Sequence, residues 1–300
     1  MKTFKQPETL CREWMASTKK TFNGYCASDI RPELNFYPGP DFGRGEVSLI
    51  ASRPSQGKTA FITSVLNNLM TSGKYNAAVF LPDMPTAEFF SRLVANRAGV
   101  DYGKVKRGFI TRDDWLLLHK AQVRLSKSRL WISASKRSSC ASLRAEAIKL
   151  ARELKQQKKK LDVIFIDSIN SLSDFPGRKE DKTGILRALN RLAEDTGAAV
   201  VCAYSLEDFR QDEPAVRMHP QLRDFRACGI CEDEVGLILN IVRPEFYDAS
   251  KYEYKNAADL DIIWSGSRAY GYSIPARFNP QTLQFHAETP APAPAGGKKG

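Results

Sequence analysis

The sequence predicts an α/β fold, a mostly parallel twisted sheet with helices on both faces. Short apolar runs without alternation recur at residues 47–51, 77–81, 163–166 and 198–202. Such runs suit strands buried on both faces, as parallel sheets require. Segments of helical length and spacing stand between them, at 61–70, 86–98, 141–155 and 185–193. Chain length agrees: 300 residues are enough to bury a full core without staples.

Taken in order, residues 6–17 read as a short amphipathic helix with Leu10 and Trp14 on one side. A cluster of breakers follows, Tyr37-Pro-Gly-Pro40 and Gly43-Arg-Gly45, before the strand at 47–51. The first long helix, the strand at 77–81 and the helix at 86–98 come next. Residues 100–126 form a basic, helical insertion, and 130–132 a weak strand. The helix at 141–155 runs into Lys158-Lys-Lys160, and the strand at 163–166 ends at Asp167. After 198–202, further strands are expected at 235–242, 260–264 and 274–278. From 287 the chain is rich in Pro, Ala and Gly and cannot bury a core. The expected organisation is a helical segment at 1–20, one domain at 21–286 and a disordered tail at 287–300.

The 45 Lys/Arg outnumber the 34 Asp/Glu by 11. Residues 102–160 hold 17 basic and 4 acidic residues, a net of 13 that exceeds the whole surplus. This suits a polyanion partner or a solvated lysine-rich face. No apolar stretch is long enough to cross a bilayer as a helix, and the first residues lack the apolar core of a secretory signal. The expectation is a cytoplasmic protein. Cys228-Gly-Ile-Cys231 stands alone. It fits ordinary thiols, a redox pair, or half a zinc site whose other ligands are not near in sequence.

Chemistry is concentrated after the first strand, in Ser52-Arg-Pro-Ser-Gln-Gly57-Lys58-Thr59. Successive backbone amides wrap a β-phosphate, Gly57 lets the chain approach, and the following helix N-terminus adds positive potential. Lys58 reaches the β/γ-phosphates and Thr59 holds Mg²⁺. The strict pattern has Gly where this chain has Ser52. The candidate nucleotide-binding residues are Ser52, Arg53, Pro54, Ser55, Gln56, Gly57, Lys58, Thr59 and Ala60. Asp167, at the end of an apolar strand, is the candidate carboxylate for the Mg²⁺ shell.

These residues carry a resemblance. The stretch from Ala51 to Phe61 resembles the phosphate loop of hexameric replicative DNA helicases of the DnaB type, with Arg-Pro-Ser before Gly-Lys-Thr. Four further stretches agree in order: Phe80-Leu-Pro-Asp83-Met84, residues 162–172, Asp224-Phe-Arg226-Ala-Cys-Gly229-Ile-Cys-Glu232-Asp233, and residues 237–247 with Val242-Arg243-Pro-Glu-Phe-Tyr247. The resemblance covers about 20–286. It implies a RecA-like ATPase that uses ATP and Mg²⁺, forms a hexameric ring around single-stranded DNA, and meets a primase or helicase loader. Residues 6–17 would be the linker helix that docks on a neighbouring subunit. It assigns catalysis to Lys58, Asp83, Asp167 and Arg268, and DNA contacts to Arg178, Lys179, Lys182, Arg223 and Arg226, ahead of the Lys158–Lys160 run.

Three positions depart from the family pattern. Asp83 stands where the family has a catalytic Glu, one methylene longer. Ser205 falls near its Gln sensor. The Lys-x-Arg-Asn-Gly finger reads Ser265-Gly-Ser267-Arg268-Ala269, with the Arg one step displaced and no Lys. Arg226 is as well placed to pair with Glu232 or Asp224 as to touch phosphate. Two other readings stay open: a RecA-like recombinase-type ATPase, and a catalytically degenerate helicase-like ring or loader.

Overall fold

The structure is a computed structural model. It describes residues 41–134, 136, 138–176, 180–206, 218–247, 250, 255–265 and 272–287. The expected segment at 1–20, the start of the expected domain and the tail from 288 lie outside these residues.

One nine-stranded sheet runs in the order β3-β2-β4-β5-β1-β6-β7-β8-β9. The strands are β1 (Val47–Ser52), β2 (Ala77–Phe80), β3 (Leu130–Ser133), β4 (Val163–Ile166), β5 (Ala199–Ser205), β6 (Leu237–Val242), β7 (Ala257–Ser265), β8 (Tyr272–Asn279) and β9 (Gln284–Ala287). The first six run parallel to their neighbours, and β7, β8 and β9 extend the sheet antiparallel from β6. The helices are α1 (Lys58–Ser72), α2 (Thr86–Ala98), α3 (Tyr102–Arg107), α4 (Arg112–Ser126), α5 (Cys140–Gln156), α6 (Thr183–Thr196) and α7 (Leu222–Ala227).

Strand alternation explains the apolar runs. In β1, Ile50 joins one core with Phe61, Ile62 and Leu66 of α1 and Phe89 of α2. Leu49 and Ala51 join the opposite core with Leu143 of α5 and Leu189 of α6. Every β1 residue is buried because both faces are covered. The expected basic insertion is two capped helices. Asp101 caps α3, and Thr111 with Asp114 forms a capping box on α4.

The antiparallel extension closes against the first helix. Phe285 of β9 lies edge-on to Phe61 of α1, with ring centroids 5.4 Å apart, and tilted on Phe278 of β8 at 4.7 Å. Polar ties reinforce this packing. Asn96 Nδ2 donates to the Leu283 carbonyl at 2.6 Å, Gln284 Nε2 to the Asn96 carbonyl at 2.6 Å, and the Phe285 N–H to Ser64 Oγ at 3.3 Å. Among the described residues, no helix is long and apolar enough to cross a membrane.

Candidate nucleotide site at the strand ends

The parallel strands all deliver their C-terminal ends to one edge of the sheet. The loop from Ser52 to Gly57 leaves β1 there, Asp83 follows β2 by three residues, and Asp167 follows β4 directly. Phe80 and Ile166 are register partners, and the Asp167 N–H donates to the Phe80 carbonyl at 3.0 Å, so the two acidic turns leave adjacent strands.

The loop's geometry suits phosphate. Gly57 has φ 104°, which L side chains rarely adopt, and a Cβ there would stand 3.2 Å from Phe285 Cζ. The β9 aromatic thus supports the loop from beneath. Ser55 also takes positive φ, at 65°. Helix α1 opens on Gly57 with no side-chain cap, so its first-turn amides point out of the helix end into the hollow of the loop. Lys58 Nζ reaches into the same hollow, donating to Ser52 Oγ at 3.1 Å and to the Ser52 and Arg53 carbonyls at 3.3 Å.

The far rim of the loop is pinned to the turn after β6. Gln56 is buried; its Nε2 donates to Tyr247 Oη at 3.2 Å, and its Oε1 accepts from the Arg243 N–H at 3.4 Å. The Arg53 guanidinium lies 5.1 Å from the Tyr247 ring centroid. Arg243 pairs with Glu245 and stacks over Phe278.

Asp167 is buried, and its Oδ2 has no hydrogen-bond partner among the described residues. Burial pushes its carboxyl up from the ordinary aspartate range, against a hydrogen bond from the Thr59 side chain and the charges of Lys58 and Arg92. A buried carboxylate oxygen left unpaired beside a threonine hydroxyl is a donor set for a hard divalent cation. Thr59 and Asp167 therefore fit Mg²⁺. Asp83 is exposed, and α2 is capped at Pro85, so Asp83 is not the helix cap. Ser205 is tied by its backbone: its N–H donates to Asn170 Oδ1 at 2.7 Å, and its carbonyl accepts from Asn170 Nδ2 at 3.2 Å.

Of the expected DNA-contacting residues, Arg223 and Arg226 are exposed on α7. Arg226 is engaged with Glu232 through Nε at 2.8 Å and through Nη2, the alternative the sequence left open. Lys182 departs from expectation. It is 1% exposed, and its ammonium donates to the Cys228 and Glu180 carbonyls. A cation so enclosed is not presented to a phosphate. Arg178, Lys179 and Arg268 lie outside the described residues. Cys228 and Cys231 are free thiols, and among the described residues no group of three or more His, Cys, Asp or Glu could hold a metal ion.

Sequence reasoning missed the role of β9 and of Tyr247. Phe285 carried no local signal beyond an apolar residue near a tail. Tyr247 stood at the end of a stretch already singled out, five residues past β6.

A parallel sheet with a glycine-lysine-threonine loop after its central strand and a buried carboxylate after another strand defines a P-loop nucleotide-binding domain. The chain belongs to the DnaB-like helicase C-terminal domain family, whose description matches residues 40–287. It is 26% identical over 225 residues to the replicative DNA helicase DnaB of Geobacillus stearothermophilus, covering 74% of this chain and 48% of that protein. It is 28% identical over 253 residues to a probable plasmid replicative DNA helicase of Chlamydia trachomatis, covering 83% and 52%. The chain thus spans about half the length of the curated relatives it matches. The solved ATPase domain of G40P is similar in fold, with a TM-score of 0.76 at 22% identity over 93% of this chain and 98% of that one. A DnaB-like replicative helicase, solved to show its interactions with primase, has the same TM-score and identity over 91% and 66%.

Proposed function

We propose that the chain is the motor of a replicative DNA helicase, a ring-forming ATPase that translocates on single-stranded DNA. One observation carries the reading most directly: Lys58, Thr59 and the half-paired buried Asp167 converge at the strand ends beside an uncapped helix N-terminus. That arrangement is suited to a nucleoside triphosphate with its magnesium ion.

The loop from Ser52 to Ala60 holds the phosphates by backbone amides, and Lys58 turns from its loop carbonyls to the β/γ-phosphates. Thr59 and Asp167 would hold Mg²⁺, which when bound would supply charge neutralisation for the phosphates. Asp83 orients water and takes its proton as the water oxygen bonds to the γ-phosphorus. The bridging oxygen then leaves on ADP with its electron pair. Asp83 is one methylene shorter than the family's Glu, so the water must sit closer to the turn after β2. Arg268 of a neighbouring copy would supply the cation that meets charge developing on the γ-phosphate, which implies a ring or filament; the resembled family points to a ring of six copies. Arg223 and Arg226, with Arg178 and Lys179, would face the strand in the channel. A primase or helicase loader is the expected protein partner, in the cytoplasm.

Steady-state phosphate release from ATP, measured with and without single-stranded DNA, tests the reading. Turnover that requires Mg²⁺ and rises with DNA supports it. A folded protein that neither binds nor hydrolyses ATP overturns it.

A further inference from the structure

We infer that the groove along α5 is a second binding surface for a nucleic-acid phosphate backbone, apart from the loops at the nucleotide edge of the sheet. Two adjoining hollows of about 500 and 450 Å³ share Arg144, Ile148 and Arg152 and run along this helix toward the end of α6. Their cations are Arg144, Lys149, Arg152, Lys155, Lys159 and Lys160, and their anions Glu153 and Asp195. Asp195 is taken by Arg144, in a pair at 2.5 Å. Lys160 stands 3.8 Å from the buried Asp162, and Lys159 donates to Gln157. Lys149, Arg152 and Lys155 are exposed and make no ion pair with any described residue. Six of the 17 cations of residues 102–160 therefore line this surface, three of them without an ion pair to a described residue.

The spacing is linear. Arg144, Arg152 and Lys155 follow one another at eight and three residues on a helix rising about 1.5 Å per residue, so they span about 16 Å. Lys158, at φ 58°, then ends the helix and turns the chain so that Lys159 and Lys160 continue the row. The steps along the helix are about 12 and 4.5 Å, and a line of cations along one groove suits a polyanion. The apolar lining is small and aliphatic, Ala145, Ile148 and Ala151 among it, with no aromatic residue. It offers no deep pocket for the buried anchor of a protein partner and no platform for base stacking. Charge-only contact to phosphates is what remains. Position sets this surface apart from the nucleotide edge: residues 159–161 and 195–196 lead into the N-terminal ends of β4 and β5, whereas Asp83, Asp167 and the phosphate loop follow the C-terminal ends of their strands.

The test is binding of the full chain to a fluorescein-labelled oligothymidylate and to a duplex of equal length, between about 50 and 200 mM salt. No turnover is involved, so the outcome is independent of whether the phosphate loop hydrolyses ATP. The variant Lys149→Ala/Arg152→Ala/Lys155→Ala removes three cations; at about 0.7 per contact the salt slope on single strands should fall by about two units. Affinity at the low-salt end should fall roughly tenfold or more. Loss on the single strand, the duplex or both supports the surface and says which form it takes. Lys104→Ala/Lys106→Ala/Lys120→Ala makes the same charge change on α3 and α4; an equal loss there overturns the site in favour of a general charge effect. Unchanged slope and affinity in the α5 variant overturn it too, as does polyglutamate competing at matched charge as well as unlabelled DNA, which marks an acidic protein segment as the occupant. If the alanine variant fails to fold, Lys149→Gln/Arg152→Gln/Lys155→Gln gives the same readout.

Discussion

The Lys182 ammonium donates to the Cys228 carbonyl at 2.6 Å, and the Lys182 N–H donates to the Gly229 carbonyl at 2.9 Å. This pair of bonds clips the segment after β4 to the turn after α7, the two stretches from which the DNA contacts are proposed to come. Gly229 makes the approach possible. Its φ is 77°, and a Cβ there would fall 2.3 Å from the Glu180 carbonyl oxygen. Lys182→Met should leave buried carbonyls short of a donor and cost about 1–3 kcal/mol of stability. Denaturant melts check the cost. The salt slope of DNA binding should not change, since this cation is spent inside the fold; a slope lowered by a full contact would show that Lys182 does reach phosphate.

Lys58 holds three oxygens of its own loop, so its removal should leave the fold intact while taking away a charge-assisted bond to phosphate. Lys58→Ala should weaken nucleotide binding by about ten- to a hundredfold, from roughly 1.5–3 kcal/mol for a hydrogen bond to a charged group. Fluorescent-nucleotide titration measures it. Wild-type affinity in the folded variant would end the phosphate-loop assignment.

Asp83→Asn should keep ATP affinity and lose about 10²–10⁴ of turnover if the carboxylate takes the proton of water. Asp83→Glu restores the family's reach and should match or raise turnover. Single-turnover hydrolysis separates chemistry from release. Wild-type rates in both variants would remove Asp83 from the reaction.

On α7, Arg226 shares its charge with Glu232, while Arg223 makes no ion pair with a described residue. Both substitutions to Ala should weaken single-strand binding about equally across sequences and flatten the salt slope by about 0.7. Filter binding over a salt series decides it, and an unchanged slope in both variants would take the strand off α7.

His219 Nδ1 lies 2.9 Å from Asp261 Oδ2, and Nε2 lies 3.9 Å from Asp259. The hydrogen bond to Asp261 raises the imidazole above its usual value, and the charges of both aspartates add to this against partial burial. The folded state therefore binds the proton more tightly than the unfolded chain. The contribution is complete below about pH 6.5 and fades as pH rises through the folded value. His219→Gln should lower the melting temperature more in mildly acidic than in mildly alkaline buffer. An equal loss at both ends of the range would detach the histidine from the carboxylates.

Much of this fold was legible residue by residue. Strands β1, β2, β4 and β5 announced themselves as nearly unbroken apolar runs because both faces of each are covered, and burial on two sides leaves few polar positions, Ser48 among them, to blur the pattern. The loop at 52–59 was readable because phosphate chemistry demands fixed residue types at fixed spacing. Strand β9 was not. Its four residues, Gln284-Phe-His-Ala287, carry no period long enough to see, and the strand exists by pairing with β8 and packing on α1.

By itself the sequence determined the parallel sheet, the glycine-lysine-threonine loop, the acidic end of β4 at Asp167 and the family, all of which depend on local spacing or on burial that shows as composition. Tertiary structure alone decided that Lys182 is enclosed, that Phe285 supports Gly57, that Gln56 answers to Tyr247, and that Arg144 of α5 is taken by Asp195. Each of these joins residues distant in the chain. A lysine's charge, an aromatic ring or a glycine's missing side chain takes its meaning from the atoms packed against it, and those are set only when the sheet closes.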